Sequence, residues 1–130
     1  MMKAGIVGAG FWADAAHLPG LKNAGAEIVG VYSRSEERAQ RLAGKYGAVV
    51  FSDFDKLCKS VDIVAVATPN NTHVDYALQA VDHGCHLFLD KPVAHHYSAA
   101  EELETRLQGK NIKVVVTFSS RGHPAVIHAK

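Results

Sequence analysis

The chain has 130 residues, 48% hydrophobic and 21% charged, with a formal net charge of +1. That length suits one domain with a core that buries about two-thirds of the unfolded surface. The composition excludes a disordered chain, and the lack of any basic block or stripe excludes a nucleic-acid binder.

A short apolar segment, Ala4 to Val7, predicts a first strand and runs straight into Gly8, Ala9, Gly10, Phe11, Trp12 and Ala13, a G-x-G-x-x-A pattern. Between a strand and a helix this is the dinucleotide-binding turn. Gly8 allows the tight turn, Gly10 lets backbone approach a pyrophosphate, and Ala13 is small enough for close helix–strand packing. The amides that open the helix are free donors at the positive end of its dipole and suit an anion. Residues 11–24 read as helical, with Pro19 expected to break or kink the helix.

Residues 26–32 are the second strand. Ser33 or Ser35 then caps a helix through Tyr46, with Glu36 and Glu37 in the first turn and Gly47 as the stop. Residues 48–51 form a short third strand, and Asp53 caps a brief helix to Lys59. Residues 61–67 are nearly all apolar, as expected of a central parallel strand covered on both faces. Asn71 or Thr72 opens a helix that ends at Gly84. Residues 86–89 are the fifth strand, 98–108 the next helix and 113–118 the sixth strand. Six strands alternating with helices predict an α/β, Rossmann-type doubly wound parallel sheet in the order 3-2-1-4-5-6, with ligands bound beyond the carboxyl ends of the strands. Residues 1–122 form that nucleotide-binding domain. Residues 123–130 read as the start of a linker helix, with Pro124 in its first turn, leading towards a further domain.

Met1, Met2 and Lys3 enter the first strand at once, which leaves no room for a signal peptide. No apolar run approaches the ~20 residues needed to span a bilayer. Cys58 and Cys85 show no C-x-x-C spacing and read as buried free thiols in a reducing compartment. A cytoplasmic protein without membrane or nucleic-acid partners is expected. Among the eight histidines, His83 and His86 flank Gly84 and diverge from one another, and His95 and His96 form a pair. The zinc-ligand spacings of a structural site are absent, so no metal is expected.

At the end of the second strand, where an acidic residue would hold a ribose diol, stand Ser33, Arg34 and Ser35, with Arg38 one turn on. A hydroxyl and a guanidinium accept a 2′-phosphate that a carboxylate would repel, which favours NADP over NAD. Arg34 could equally stack on adenine and serve either cofactor, and the two serines could be helix caps only.

Three more motifs follow strand ends: Thr68, Pro69, Asn70 and His73; Asp90, Lys91 and Pro92; and the segment from Phe118 to Pro124. With the glycine turn and the Ser-Arg-Ser stretch, they resemble in order and spacing the glucose–fructose oxidoreductase / inositol dehydrogenase (Gfo/Idh/MocA) family. The resemblance covers essentially the whole chain. It implies an NAD(P)-binding domain that is followed, in the family, by a larger α/β domain. It also implies hydride transfer between nicotinamide and a sugar- or polyol-like alcohol or ketone.

Carried over residue by residue, Gly8, Gly10, Phe11 and Trp12 would line the pyrophosphate, and Ser33, Arg34 and Arg38 the adenosine side. Thr68, Pro69, Asn70 and His73 match T-P-N-x-x-H near the nicotinamide ribose. Asp90 and Lys91 match the E-K-P motif, with the lysine between nicotinamide and substrate, and Arg121 matches an arginine after the sixth strand. Lys91 has its own chemical rationale as the catalytic residue: hydride loss from a carbinol needs its hydroxyl polarised or deprotonated, an ammonium at a strand end can stabilise the developing oxyanion, and Pro92 holds Lys91 extended. The chain departs from the pattern at Asp90, where glutamate is usual, at Thr117, where glycine is usual, and at Ser120, where a basic residue is common. The family's Asp-x-x-x-His pair belongs to the second domain, so this chain alone is not expected to turn over. Two rival readings are a stand-alone nucleotide sensor, which could self-associate, and a degenerate remnant without ligand.

Overall fold

The apolar segment from Ala4 to Val7 is buried throughout and lies in mid-sheet, because strands on both sides cover its edges. The computed structural model describes residues 1–118 and 123–129. Its six strands are β1 (Lys3–Val7), β2 (Glu27–Tyr32), β3 (Val49–Val50), β4 (Ile63–Val66), β5 (His86–Asp90) and β6 (Val114–Thr117). They form one parallel sheet in the order β3-β2-β1-β4-β5-β6, as the sequence predicts. Val7 lies opposite both Tyr32 and Val66, so the carboxyl ends of the three central strands come level.

The period-two alternation of the strands divides the core into two layers. Ala4 and Ile6 of β1 and Ala65 of β4 face one side, with Leu18, Leu21, Ala39 and Leu42. Val7, Val64, Val66, Leu87 and Leu89 face the other, with Phe54, Leu57, Val74, Val81 and Leu103. The first layer is closed by α1 (Leu18–Asn23) and α2 (Glu36–Tyr46), the second by α3 (Phe54–Ser60), α4 (His73–Asp82) and α5 (Tyr97–Leu107). A short α6 (Pro124–His128) follows, and the side chain of His123 caps it. Cys58 and Cys85 are buried free thiols, and the Cys85 thiol donates to the Cys58 carbonyl at 3.3 Å. His83 reaches Asp55 while His86 accepts from the Lys113 amide, so their rings diverge as expected.

The predicted caps act as such. Ser35 accepts from the Arg38 amide, Gly47 takes a left-handed conformation at φ 64°, and Asp53 accepts from the Asp55 amide. Around Pro19 the structure is more specific than the sequence reading. The helix is not broken; it widens into a π turn over Ala13–His17 and resumes as α1 at Leu18, so Pro19 falls in a first turn. The Leu18 amide still bonds back to the Ala13 carbonyl, so the ladder changes register just before the proline. The helix ahead of α4 likewise begins with a tighter 3₁₀ turn, Asn70–Thr72.

Gly8 ends β1 at φ 97°, and a Cβ there would overlap the Ala67 carbonyl. Gly8→Ala is expected to cost at least about 2 kcal/mol, from left-handed strain and the collision together. Urea unfolding of the two proteins measures this, and an unchanged midpoint would show that the β1–β4 junction is looser than described.

Candidate functional site

At the end of β1 the chain is bonded to both neighbours. The Gly8 amide donates to the Tyr32 carbonyl at 2.8 Å, and the Ala67 amide donates to the Val7 carbonyl at 2.9 Å. Beyond this junction the β1 and β4 connections part to opposite faces of the sheet, which opens a crevice. Two cavities occupy it, of about 300 Å³ and about 420 Å³, and both are bordered by Gly10, Ala67 and Thr68.

The smaller cavity lies over the β2 side. Ser33, Arg34, Arg38, Pro69, Thr72 and Tyr76 line it. The Ser33 hydroxyl accepts from the Ser35 amide at 3.2 Å and the Ser35 hydroxyl accepts from the Arg38 amide at 3.4 Å, so both serines are local caps whose O–H groups can still donate outward. Burial, with the neighbouring Tyr32, pushes the Tyr76 phenol above its ordinary value, and the Arg34 guanidinium works against this, which puts Arg34 within electrostatic reach of the ring. A cation with no ion pair among the described residues, two hydroxyls and an aromatic wall could hold an adenosine ribose and a phosphate on it.

The larger cavity lies over β4, β5 and β6. Phe11, Trp12, His17, Asn70, Asp90, Lys91 and Thr117 all border it. Phe11 and Trp12 stack edge to face at 5.2 Å, and Trp12 is 60% exposed at the mouth. Asp90, left without an assigned contact by its short side chain, has several. Its Oδ1 accepts from the Thr117 hydroxyl and from the Lys91 amide, each at 2.9 Å. Two departures from the family pattern therefore meet, the shortened acid reaching a hydroxyl at the position where glycine would offer none. Burial acts to raise the Asp90 carboxyl, but the Thr117 hydroxyl, His17 and the Lys91 amide together outweigh it and hold the carboxyl below its ordinary value.

His73 borders neither cavity. It is 1% exposed, its Nδ1 is 2.7 Å from the Pro92 carbonyl and its Nε2 is 2.7 Å from the Thr68 carbonyl. The ring thus ties the loop after β4 to the loop after β5 from behind, where the Lys91–Pro92 peptide is cis. Arg121 and Ser120 lie outside the described residues. The sequence reading missed Thr72, Tyr76, Ala16, His17 and Phe88 as lining residues. Thr72 and Tyr76 stand four apart across the start of α4, a helical spacing that could have pointed to them.

Whether a dinucleotide fits can be tested at Gly10. Among the described residues, its own chain neighbours aside, nothing lies within 4 Å of the position its Cβ would take. No packing among the described residues demands a glycine there, yet it borders both cavities, the place for close backbone approach to a pyrophosphate. Among the described residues no three His, Cys, Asp or Glu side chains gather as a cation site, and no helix is long and apolar enough to cross a membrane.

A family profile described as "Oxidoreductase family, NAD-binding Rossmann fold" (Gfo/Idh/MocA) matches residues 2–118. An oxidoreductase of Streptococcus pneumoniae is 35% identical over 132 residues, covering 100% of this chain and 35% of the relative. The scyllo-inositol 2-dehydrogenase (NADP(+)) IolU of Bacillus subtilis is 38% identical over 80 residues, 59% of this chain and 24% of the relative. Among solved structures, UDP-N-acetylglucosamine 3-dehydrogenase GnnA from Acidithiobacillus ferrooxidans superposes with a TM-score of 0.90 at 27% identity, covering 98% of this chain and 42% of that one. The chain thus spans well under half the length of the proteins it matches.

The depressed Asp90 carboxyl makes a signed prediction. A folded-state value below the unfolded one contributes stability that is complete above the unfolded value and is lost as pH falls through the folded one. Thr117→Val is expected to cost about 1.5–3 kcal/mol at about pH 7, the range for a hydrogen bond to a charged group, and less at an acid pH below the lowered folded-state value of Asp90, where the carboxyl is protonated. Urea unfolding at the two pH values checks this; a cost independent of pH would remove the hydroxyl–carboxylate bond as its source.

Proposed function

Because the chain belongs to the Gfo/Idh/MocA oxidoreductase family, we propose that it is the nucleotide-binding part of an NADP-preferring dehydrogenase of sugar- or polyol-like alcohols, or reductase of the ketones. The observation that carries this reading is the pair of cavities joined at Gly10 and Thr68, one edged by Arg34 and Arg38 and the other by Lys91. A dinucleotide has the same plan: two nucleosides joined by a pyrophosphate. Its adenosine half belongs in the smaller cavity and its nicotinamide half in the larger, with the bridge over the glycine turn.

In this reading Arg34 and the Ser33 hydroxyl hold the 2′-phosphate, and Arg38 adds charge from the first turn of α2. Gly8 and Gly10 bring backbone close to the pyrophosphate, and Thr68 and Pro69 border the path between the halves. Asn70, Phe11 and Trp12 wall the nicotinamide side, while His73 acts from behind by holding two loops together. Bound NADP supplies the ring carbon that accepts or gives a hydride. Lys91 presents its ammonium to the substrate oxygen and stabilises the negative charge that develops there. Asp90 serves by fixing the Lys91 backbone. The rest of the substrate site and its proton partner would come from the additional length that the relatives possess, so the 130 residues alone bind cofactor and barely turn over.

The single tryptophan at the cavity mouth makes a direct test. Titration with NADPH and, separately, NADH while following Trp12 emission should show tighter binding of NADPH. Arg34→Ala should remove about 1.5–3 kcal/mol, mostly from NADPH. Equal affinity for the two cofactors would overturn the NADP preference, and binding of neither would overturn the proposal.

A further inference from the structure

His17 takes no part in the roles above, yet it is among the most buried polar residues, at 5% exposure. It closes the π turn Ala13–His17, a rare local geometry often found at functional sites. The widened turn lets two consecutive residues, His17 and Leu18, both face inward. The imidazole packs edge-on to Phe88 at 5.5 Å and borders the larger cavity. Its Nε2 lies 3.4 Å from Asp90 Oδ2. That distance suits an ion pair, but the direction is wrong for a hydrogen bond, and the nitrogen has no such partner among the described residues. Buried polar atoms without a partner are uncommon and call for an explanation.

We infer that His17 is a positioning residue of the nicotinamide-side cavity, acting on the ligand through Asp90. Three elements converge on that carboxylate: the helix after the glycine turn, the end of β5 and the end of β6. Thr117 and the Lys91 amide hold Oδ1, which leaves Oδ2 as the oxygen without a hydrogen bond among the described residues. Oδ2 is also the one facing His17. A hydrogen-bond donor of the bound ligand, such as the primary amide of nicotinamide, would take one lone pair of Oδ2. A small rotation of the whole carboxylate on receiving this donor would bring the other lone pair into line with the imidazole N–H. Hydrogen bonds that are long and misaligned without ligand commonly tighten in the complex. The unpartnered nitrogen is thus an acceptor's seat kept open until the cavity fills. A histidine that merely filled core volume would not need its nitrogen beside the carboxylate oxygen that Thr117 and the Lys91 amide leave free.

The inference rests on the nucleotide-binding reading, and one experiment separates the two. Binding of NADPH and of 2′-phospho-ADP-ribose, which lacks nicotinamide, is measured calorimetrically for the full chain and for His17→Ala, His17→Gln and Asp90→Asn. His17→Ala should weaken NADPH about tenfold, the scale of one charge-assisted hydrogen bond, and leave the fragment unchanged. His17→Gln, which keeps a donor near the Nε2 position, should restore most of the loss. Asp90→Asn, at the partly exposed rim, should act on NADPH alone, and it carries the test should His17→Ala fail to fold. Equal weakening of both ligands, or of neither, would overturn the positioning role. Equal affinity of the unaltered chain for NADPH and the fragment would overturn it too, while leaving nucleotide binding intact. Failure of the unaltered chain to bind either would overturn both.

Discussion

Everything in the crevice depends on one backbone contact, the approach of Gly8 to the carbonyl of Ala67. It brings β1 and β4 together without an intervening side chain just where their connections depart to opposite faces. Gly10, Ala67 and Thr68 therefore border both cavities, and a ligand spanning them would cross the sheet at its topological switch point. The two ends differ in character. The β2 end is a cationic surface over an aromatic wall, suited to phosphate. The β5 and β6 end is a carboxylate held by hydroxyl and amide, with an unbonded imidazole beside it and an exposed lysine next to it.

The carboxylate end shows how a shortened side chain can be accommodated. Removing a methylene from the acid of a Glu-Lys-Pro motif would ordinarily withdraw its oxygens from whatever they held. Here Thr117 enters from the neighbouring strand at the register position opposite Asp90, and the bond lost in reach is regained from the side. Neither substitution makes sense alone. In a parallel sheet the last residues of adjacent strands stand side by side, which is why residues 27 apart in sequence answer one another.

The fold was legible because its signals are local and repeated. Apolar runs, Ser35 and Asp53 as caps and Gly47 as a stop each depend on a few neighbouring residues, and right-handed crossovers then leave little choice of strand order. Much of the smaller cavity was legible for the same reason: its Gly8, Gly10, Ser33, Arg34 and Arg38 lie in one short stretch of chain, whereas Thr72 and Tyr76 come to it from the start of α4. The Asp90 contacts were not, because they join the ends of β5 and β6 to a helix some 70 residues earlier in the chain. His17 was hidden further. A histidine on a helix after a glycine turn looks like any other, and its inward aim comes from a π turn that no residue pattern announces. Pro19 marked the disturbance but not its form.

The strand at the centre of the sheet has a consequence during synthesis. β1 leaves the ribosome before β2 and long before β4, the partner for its other edge. Val7 and Val66 are 59 positions apart, a delay of about 3–12 s at ordinary elongation rates of about 5–20 residues per second. Through that interval a buried-type strand, apolar on both faces, has one edge paired at most, the condition under which strands join the wrong neighbour. The arrangement that forms the crevice thus gives the nascent chain an interval of vulnerability, which ends when residues 63–66 arrive.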